Sequence, residues 1–171
     1  MDDRTLRARV VQAQLGDTQA LDAVLRDIQL PILRHARTIV GDDDRAWDVV
    51  QVTLLAIARK LGALRDPRLF RPWAFRIATR VAVKSLSRDR REELSAEPPE
   101  IPVEQHEVDP RIEEIERLVE SLPPASRVVI QMHFLDGLKL WEIAESLEIA
   151  EGTVKSRLNY GLNAIRRNIR S

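Results

Sequence analysis

Residues 140–169 read LWEIAESLEIAEGTVKSRLNYGLNAIRRNI, and their apolar spacing predicts a helix-turn-helix. That motif needs a short first helix, a tight turn, and a second helix whose outer face can enter the major groove. Ile143, Ala144 and Leu147 supply the inner face of the first helix, with Ala144 small where the two helices would cross closely. Ile149 plugs the turn, and Val154, Leu158 and Ile165 face inward from the second helix. Thr153, Lys155, Ser156, Arg157 and Asn159 are left outward near its N-terminal half, where such side chains can donate to phosphates or read base edges. Glu148 occupies the turn, a position that Gly fills most easily because it tolerates positive φ. The same pattern taken alone also suits an ordinary helical hairpin with a solvated polar face.

Moving toward the N-terminus, Pro123 and Pro124 restart a helix carrying Val128, Met132 and Leu135, preceded by periodic Ile112, Ile115, Val119 and Leu122. Between Arg88 and Pro110 the periodicity collapses. RDRREELSAEPPEIPVEQHEVDP holds four prolines, many carboxylates and few apolar residues, a composition that cannot bury enough surface to offset chain entropy. Helical stripes return in the first half. Leu21, Leu25, Ile28, Ile32, Ala36 and Ile39 form one, which Pro31 should kink or break by removing a backbone donor. Gly41 and Asp42–Asp44 stop that helix and start the next, with carboxylates near a positive helix N-terminus. In that next helix Trp47, Val50, Leu54, Ile57 and Leu61 mark a buried face. GALRDPRLFR (62–71) reads as a loop, and Pro72 opens a further helix with Trp73, Ala74, Ile77 and Val81 inward. The expectation is an all-α chain: a helical domain over 1–88, a flexible acidic linker over 89–110, and a helix-turn-helix domain over 111–171.

The chain of 171 residues has no net charge, but the charge is unevenly placed. Residues 1–86 carry a balance of +5, residues 87–116 of −7, and residues 117–171 of +2, so two basic blocks flank an acidic connector. Arg76, Arg80, Lys84 and Arg88 recur every four residues, a ladder suited to a phosphate backbone. Asp44, Asp48 and Gln51 share one helix face. The absence of cysteine excludes a disulfide framework, a zinc ribbon and a thiol nucleophile. His35, His106 and His133 lack metal-ligand spacing, and there is no Gly-rich phosphate loop. No catalytic residue, metal, cofactor or small-molecule substrate is expected. With no signal peptide or membrane span, the chain reads as cytoplasmic.

These segments together resemble the extracytoplasmic-function (ECF) sigma factors of bacterial RNA polymerase. The second half has Leu122-Pro123-Pro124, then FLDGLKLWEIAESL and EGTVKSRL in register. The first has Gly16-Asp17, then GDDDRAWDVVQVT, then RPWAFRIATRVAVKSLSRDRR. Each match alone is weak; their order and spacing make chance agreement implausible. The resemblance implies that Asp44, Asp48 and Gln51 dock on the clamp of core RNA polymerase. It implies that Arg65, Asp66, Arg68, Leu69 and Phe70 form a loop capturing an unpaired base of the −10 element, with Arg76, Arg80, Lys84 and Arg88 on the DNA backbone. Thr153, Lys155, Ser156, Arg157 and Asn159 would read the −35 element. Promoter DNA and core polymerase are the implied partners, and the resemblance admits an anti-sigma factor as a third. The chain departs from the family at Val52 and Leu54, where an acidic residue and Phe are usual, and at Arg80 and Lys84, where Asn and Asp are common. Two rival readings remain: a stand-alone helix-turn-helix regulator, which leaves the first domain unexplained, and a sigma-like decoy that binds an anti-sigma factor.

Overall fold

The computed structural model describes residues 1–92, 119 and 121–169, without the side chains of residues 88–92, 168 and 169. The helices are α1 (Asp3–Gln14), α2 (Thr18–Val40), α3 (Asp43–Lys60), α4 (Phe70–Glu92), α5 (Pro124–Phe134), α6 (Leu140–Leu147) and α7 (Glu151–Ile169). No strand occurs among the described residues. Residues 93–110 of the expected linker, and the periodic residues Ile112 and Ile115, lie outside them.

Local chemistry sets the helix ends. Asp2, Asp17 and Asp42 each accept from backbone N–H groups of the turn that follows, at 2.8–3.0 Å, satisfying donors that have no partner within the helix. Gly41 closes α2 in the left-handed conformation, at φ 73°. Pro31 neither breaks α2 nor ends it. The helix runs unbroken to Val40, with Ile28, Ile32 and Leu33 buried on either side of the proline, so packing outweighs the lost hydrogen bond.

Alpha-helices 1 to 4 enclose the first apolar cluster, in which Leu6, Val10, Val24, Ile28, Ile32, Val49, Ile57 and Phe75 are all buried. The α4 stripe is displaced by about one residue from expectation. Ala74, Phe75, Ala78 and Ala82 are the buried positions, whereas Trp73, Ile77 and Val81 are only half-buried. The cause is that α4 touches neighbours on more than one side: α2, α3 and also α6. Leu135, placed inward by periodicity, is exposed beyond the end of α5.

The two halves share one continuous core, since Val129, Met132, Leu138, Ile143 and Val154 belong to the same cluster as the first-half residues. Polar contacts cross the seam as well. Arg34 grips the buried Asp136 carboxylate at 2.6 and 3.1 Å, Thr38 donates to Gln131, and the Ser146 hydroxyl donates to the Pro72 carbonyl at 3.3 Å.

Candidate nucleic-acid and polymerase interfaces

The predicted site residues fall into three groups on the surface. On α3, Asp44, Asp48 and Gln51 are exposed and share one face. Trp47, expected in the core, lies between them with 38% of its surface exposed, and Val52 and Leu55 follow at 53% and 52%. The core side of α3 keeps the expected Val50 and Ile57, with Leu61 beyond its end, and adds Ala46, Val49 and Thr53. Sequence reasoning therefore missed Trp47 and Leu55 as members of this face, and marked Val52 only as a departure from the family. The small Ala46 beside Trp47 was the available signal, because a small residue lets α3 approach its neighbours and turns the large ring outward.

The second group begins in the loop between α3 and α4, which folds into two 3-10 turns, Leu61–Ala63 and Pro67–Leu69. Asp66 accepts from the Arg68 backbone N–H at 2.9 Å and holds the Arg68 guanidinium at 2.8–3.1 Å. That contact holds the Asp66 carboxyl below its ordinary value and raises the guanidinium. Arg65 and Leu69 are exposed. Phe70 is not at the loop surface: it is 1% exposed and its ring tilts against Trp73 at 6.2 Å. As a core residue it is out of reach of a base in this conformation. A cleft of 280 Å³ lies beside the loop, where Arg7, Arg68 and Arg71 meet Lys139 and Trp141.

The ladder on α4 is present but partly covered. Lys84 is exposed, while Arg76 bonds Glu145 at 3.0 Å and Arg80 grips Glu148 through two nitrogens at 2.5 and 3.2 Å. The hydrogen bonds from Arg80 hold the Glu148 carboxyl low. Arg88 lies on α4, with its side chain outside the described residues.

The third group is the helix-turn-helix. Helix α6 ends at Glu148, at φ 56° and ψ 43°, the left-handed turn conformation anticipated there. Its backbone N–H bonds the Ala144 carbonyl, and Ile143 and Val154 are buried between the helices. On α7, Lys155, Ser156 and Asn159 are exposed, and Thr153 and Arg157 are half-buried. Lys155 pairs with Glu151 at 2.8 Å, and Ser156 donates to the Thr153 carbonyl at 2.9 Å. Tyr160, 54% exposed, follows Ser156 by one helical turn and was not singled out from the sequence. Among the described residues no cluster could hold a metal ion, and no helix is long and apolar enough to cross a membrane.

A helix-turn-helix joined to a helical unit bearing a basic ladder defines a DNA-binding transcription protein. Residues 25–92 match Sigma-70 region 2, and residues 112–165 match Sigma-70, region 4. The chain is 32% identical to the ECF RNA polymerase sigma factor SigL of Mycobacterium tuberculosis over 93% of its own length and 94% of that protein's. It is 29% identical to the ECF RNA polymerase sigma-E factor of Escherichia coli, covering 96% and 93% of the two chains. The fold resembles that of CnrH, solved in complex with the cytosolic domain of CnrY, with a TM-score of 0.70 at 22% identity over 96% and 97% of the two chains. The chain belongs to the ECF family of RNA polymerase sigma factors.

Proposed function

We propose that this chain is an alternative sigma factor whose three surface groups divide promoter recognition between them. The α3 face, Asp44, Asp48 and Gln51 with Trp47, Val52 and Leu55, docks on core RNA polymerase. Arg65, Asp66 and Arg68 of the loop, with Arg76, Arg80, Lys84 and Arg88 of α4, engage the −10 element. Thr153, Lys155, Ser156, Arg157 and Asn159 of α7 read the −35 element. The functional units are residues 1–88 and 111–171, tethered by 89–110, and the protein works in the cytoplasm without catalysis of its own. One observation carries this reading: Sigma-70 regions 2 and 4 follow each other on a single chain. A stand-alone regulator would need only the second.

The polar-and-apolar composition of the α3 face supports docking, since a protein interface combines an apolar centre with a polar rim. The position of α7's polar residues supports base reading, because recognition helices contact bases through their N-terminal residues. The test is reconstitution with core polymerase on genomic DNA, with transcript starts mapped. Promoter-specific starts are expected, and failure to bind core would overturn the reading. Arg157→Ala should weaken −35 recognition by roughly 1–3 kcal/mol at one base position while leaving core binding intact. Asp48→Ala should do the reverse.

A further inference from the structure

Beside the 3-10 turn at Pro67–Leu69 lies the cleft of 280 Å³, with walls from α1, the start of α4 and the start of α6. Two of its carboxylates are already engaged. Asp66 is held by the Arg68 guanidinium at 2.8–3.1 Å, and Glu142 accepts from the Lys139 backbone N–H at 2.7 Å. Three cations from three elements stay available. The side chains of Arg7 and Lys139 are exposed, and neither has an ion-pair partner among the described residues. Arg71 is half-buried. Its hydrogen bond to the Asp136 carbonyl is long, at 3.4 Å, and its Nε is buried without a partner. A buried donor in that state is costly, and an acceptor entering the cleft can complete it. Trp141, 43% exposed, adds an aromatic wall.

We propose that this cleft binds a free nucleoside polyphosphate, with its base stacked on Trp141 and its phosphates on Arg7, Arg71 and Lys139. The inference goes beyond the reading of promoter recognition and does not depend on it, since none of these four residues belongs to the three surface groups. Each part of the ligand answers a feature of the wall. A guanidinium offers phosphate oxygens a planar fork, and a lysine offers them a point charge. A phosphate oxygen at the Arg71 Nε satisfies the buried donor. An indole ring holds any base by its π-face. Asp3, the remaining carboxylate of the cleft, repels phosphate and accepts from the amino group of a base. A simple anion would leave Trp141 unused, and an uncharged aromatic would leave the cations unused. Size argues the same way. Small-molecule pockets run from about 300 Å³ upward, so a cleft of 280 Å³ takes one nucleotide and has no room for a helix.

The full chain is titrated with magnesium-free ATP by calorimetry, with adenosine and inorganic tripolyphosphate as partial ligands. Saturable one-to-one binding of ATP is expected, and each partial ligand should bind about tenfold more weakly, because it makes only part of the contacts. Trp141→Ala should weaken ATP binding about fivefold or more, the contribution of one stacked base. It should leave tripolyphosphate binding unchanged, and Trp141→Phe should restore the binding of ATP. Arg7→Ala and Lys139→Ala should each weaken ATP and tripolyphosphate roughly two- to fivefold, as exposed cations do, and leave adenosine unchanged. All three positions are exposed, so these variants keep the fold. ATP binding that is indifferent to both Trp141→Ala and Lys139→Ala, or absent at millimolar ATP, overturns the site. An oligothymidylate whose affinity falls with Trp141→Ala in the same proportion as that of ATP also overturns it, by making the cleft a seat for one nucleotide of a strand.

Discussion

At the scale of single residues, the position of Gly161 shows how packing and propensity oppose each other. A Cβ at Gly161 would lie 2.5 Å from the Ile130 Cδ1 atom, so α5 and α7 meet there without room for a methyl group. Glycine inside a helix costs about 1 kcal/mol relative to alanine, and displacing a packed methyl costs a similar amount. Gly161→Ala should consequently leave stability nearly unchanged in the parent chain. In an Ile130→Val background, which lacks the opposing methyl, the same substitution should stabilise by about 1 kcal/mol, measured by urea denaturation. Equal effects in both backgrounds would show that the contact does not decide the cost. His35 is a second case. It is fully buried, bonded through Nε2 to the Thr79 hydroxyl at 2.8 Å, and burial lowers its pKa from 6.5 to about 4. The unfolded chain binds the proton more readily, so stability is present above 6.5 and lost as pH falls from 6.5 toward 4. The loss should reach about 3 kcal/mol, and His35→Gln should flatten that part of a stability–pH curve.

At the scale of elements, the α5–α6 connection carries the opposite titration. Asp136 is buried against α2, and desolvation raises its pKa above 3.8 although Arg34 and Arg71 partly offset it. Here the folded state binds the proton more tightly. This group's contribution is full below 3.8 and lost as pH rises through the raised folded value. Asp136→Asn should remove that loss, so the difference in Tm between variant and parent should move in the variant's favour from pH 4 to pH 7. A constant difference would mean that the Arg34 pair fully offsets burial. The elements also show what periodicity can reveal. The helix start at Asp42, the stop at Gly41 and the left-handed turn at Glu148 were legible because each is fixed by one or two neighbouring residues. The face of α3 was misread at Trp47, since a large ring counts as core in any hydrophobicity pattern. The small Ala46 beside it hints at the inversion, and packing against the neighbouring helices fixes it. Likewise Phe70 reads as a loop residue until α4 is seen to begin at it, in the core.

At the scale of the whole molecule, the order of the three surface groups was legible, and their mutual arrangement was not. Two helical halves and an acidic connector follow from local composition. The seam depends on pairs such as Arg34–Asp136 and Thr38–Gln131, separated by 102 and 93 residues, which no local pattern encodes. Because one apolar cluster runs through both halves, heat should unfold the chain in a single cooperative transition by scanning calorimetry. Two resolved transitions would show that the halves are thermodynamically independent. Leu138→Ala, at a buried position of that shared core, should lower stability by about 2–5 kcal/mol.

Helix α4 sits between the halves with alanine at 74, 78 and 82. Alanine gives up no rotamer freedom when buried, so this stretch is ordered at little side-chain entropy. Its attachment relies instead on backbones lying close together. Dispersion fades steeply, with a gap of 0.5–1 Å forfeiting roughly a quarter to a half of each contact. Long side chains could stretch to follow a receding neighbour; methyl groups cannot. Separation of helices from the alanine positions of α4 should thus proceed as a step, with no stable half-parted intermediate along the way.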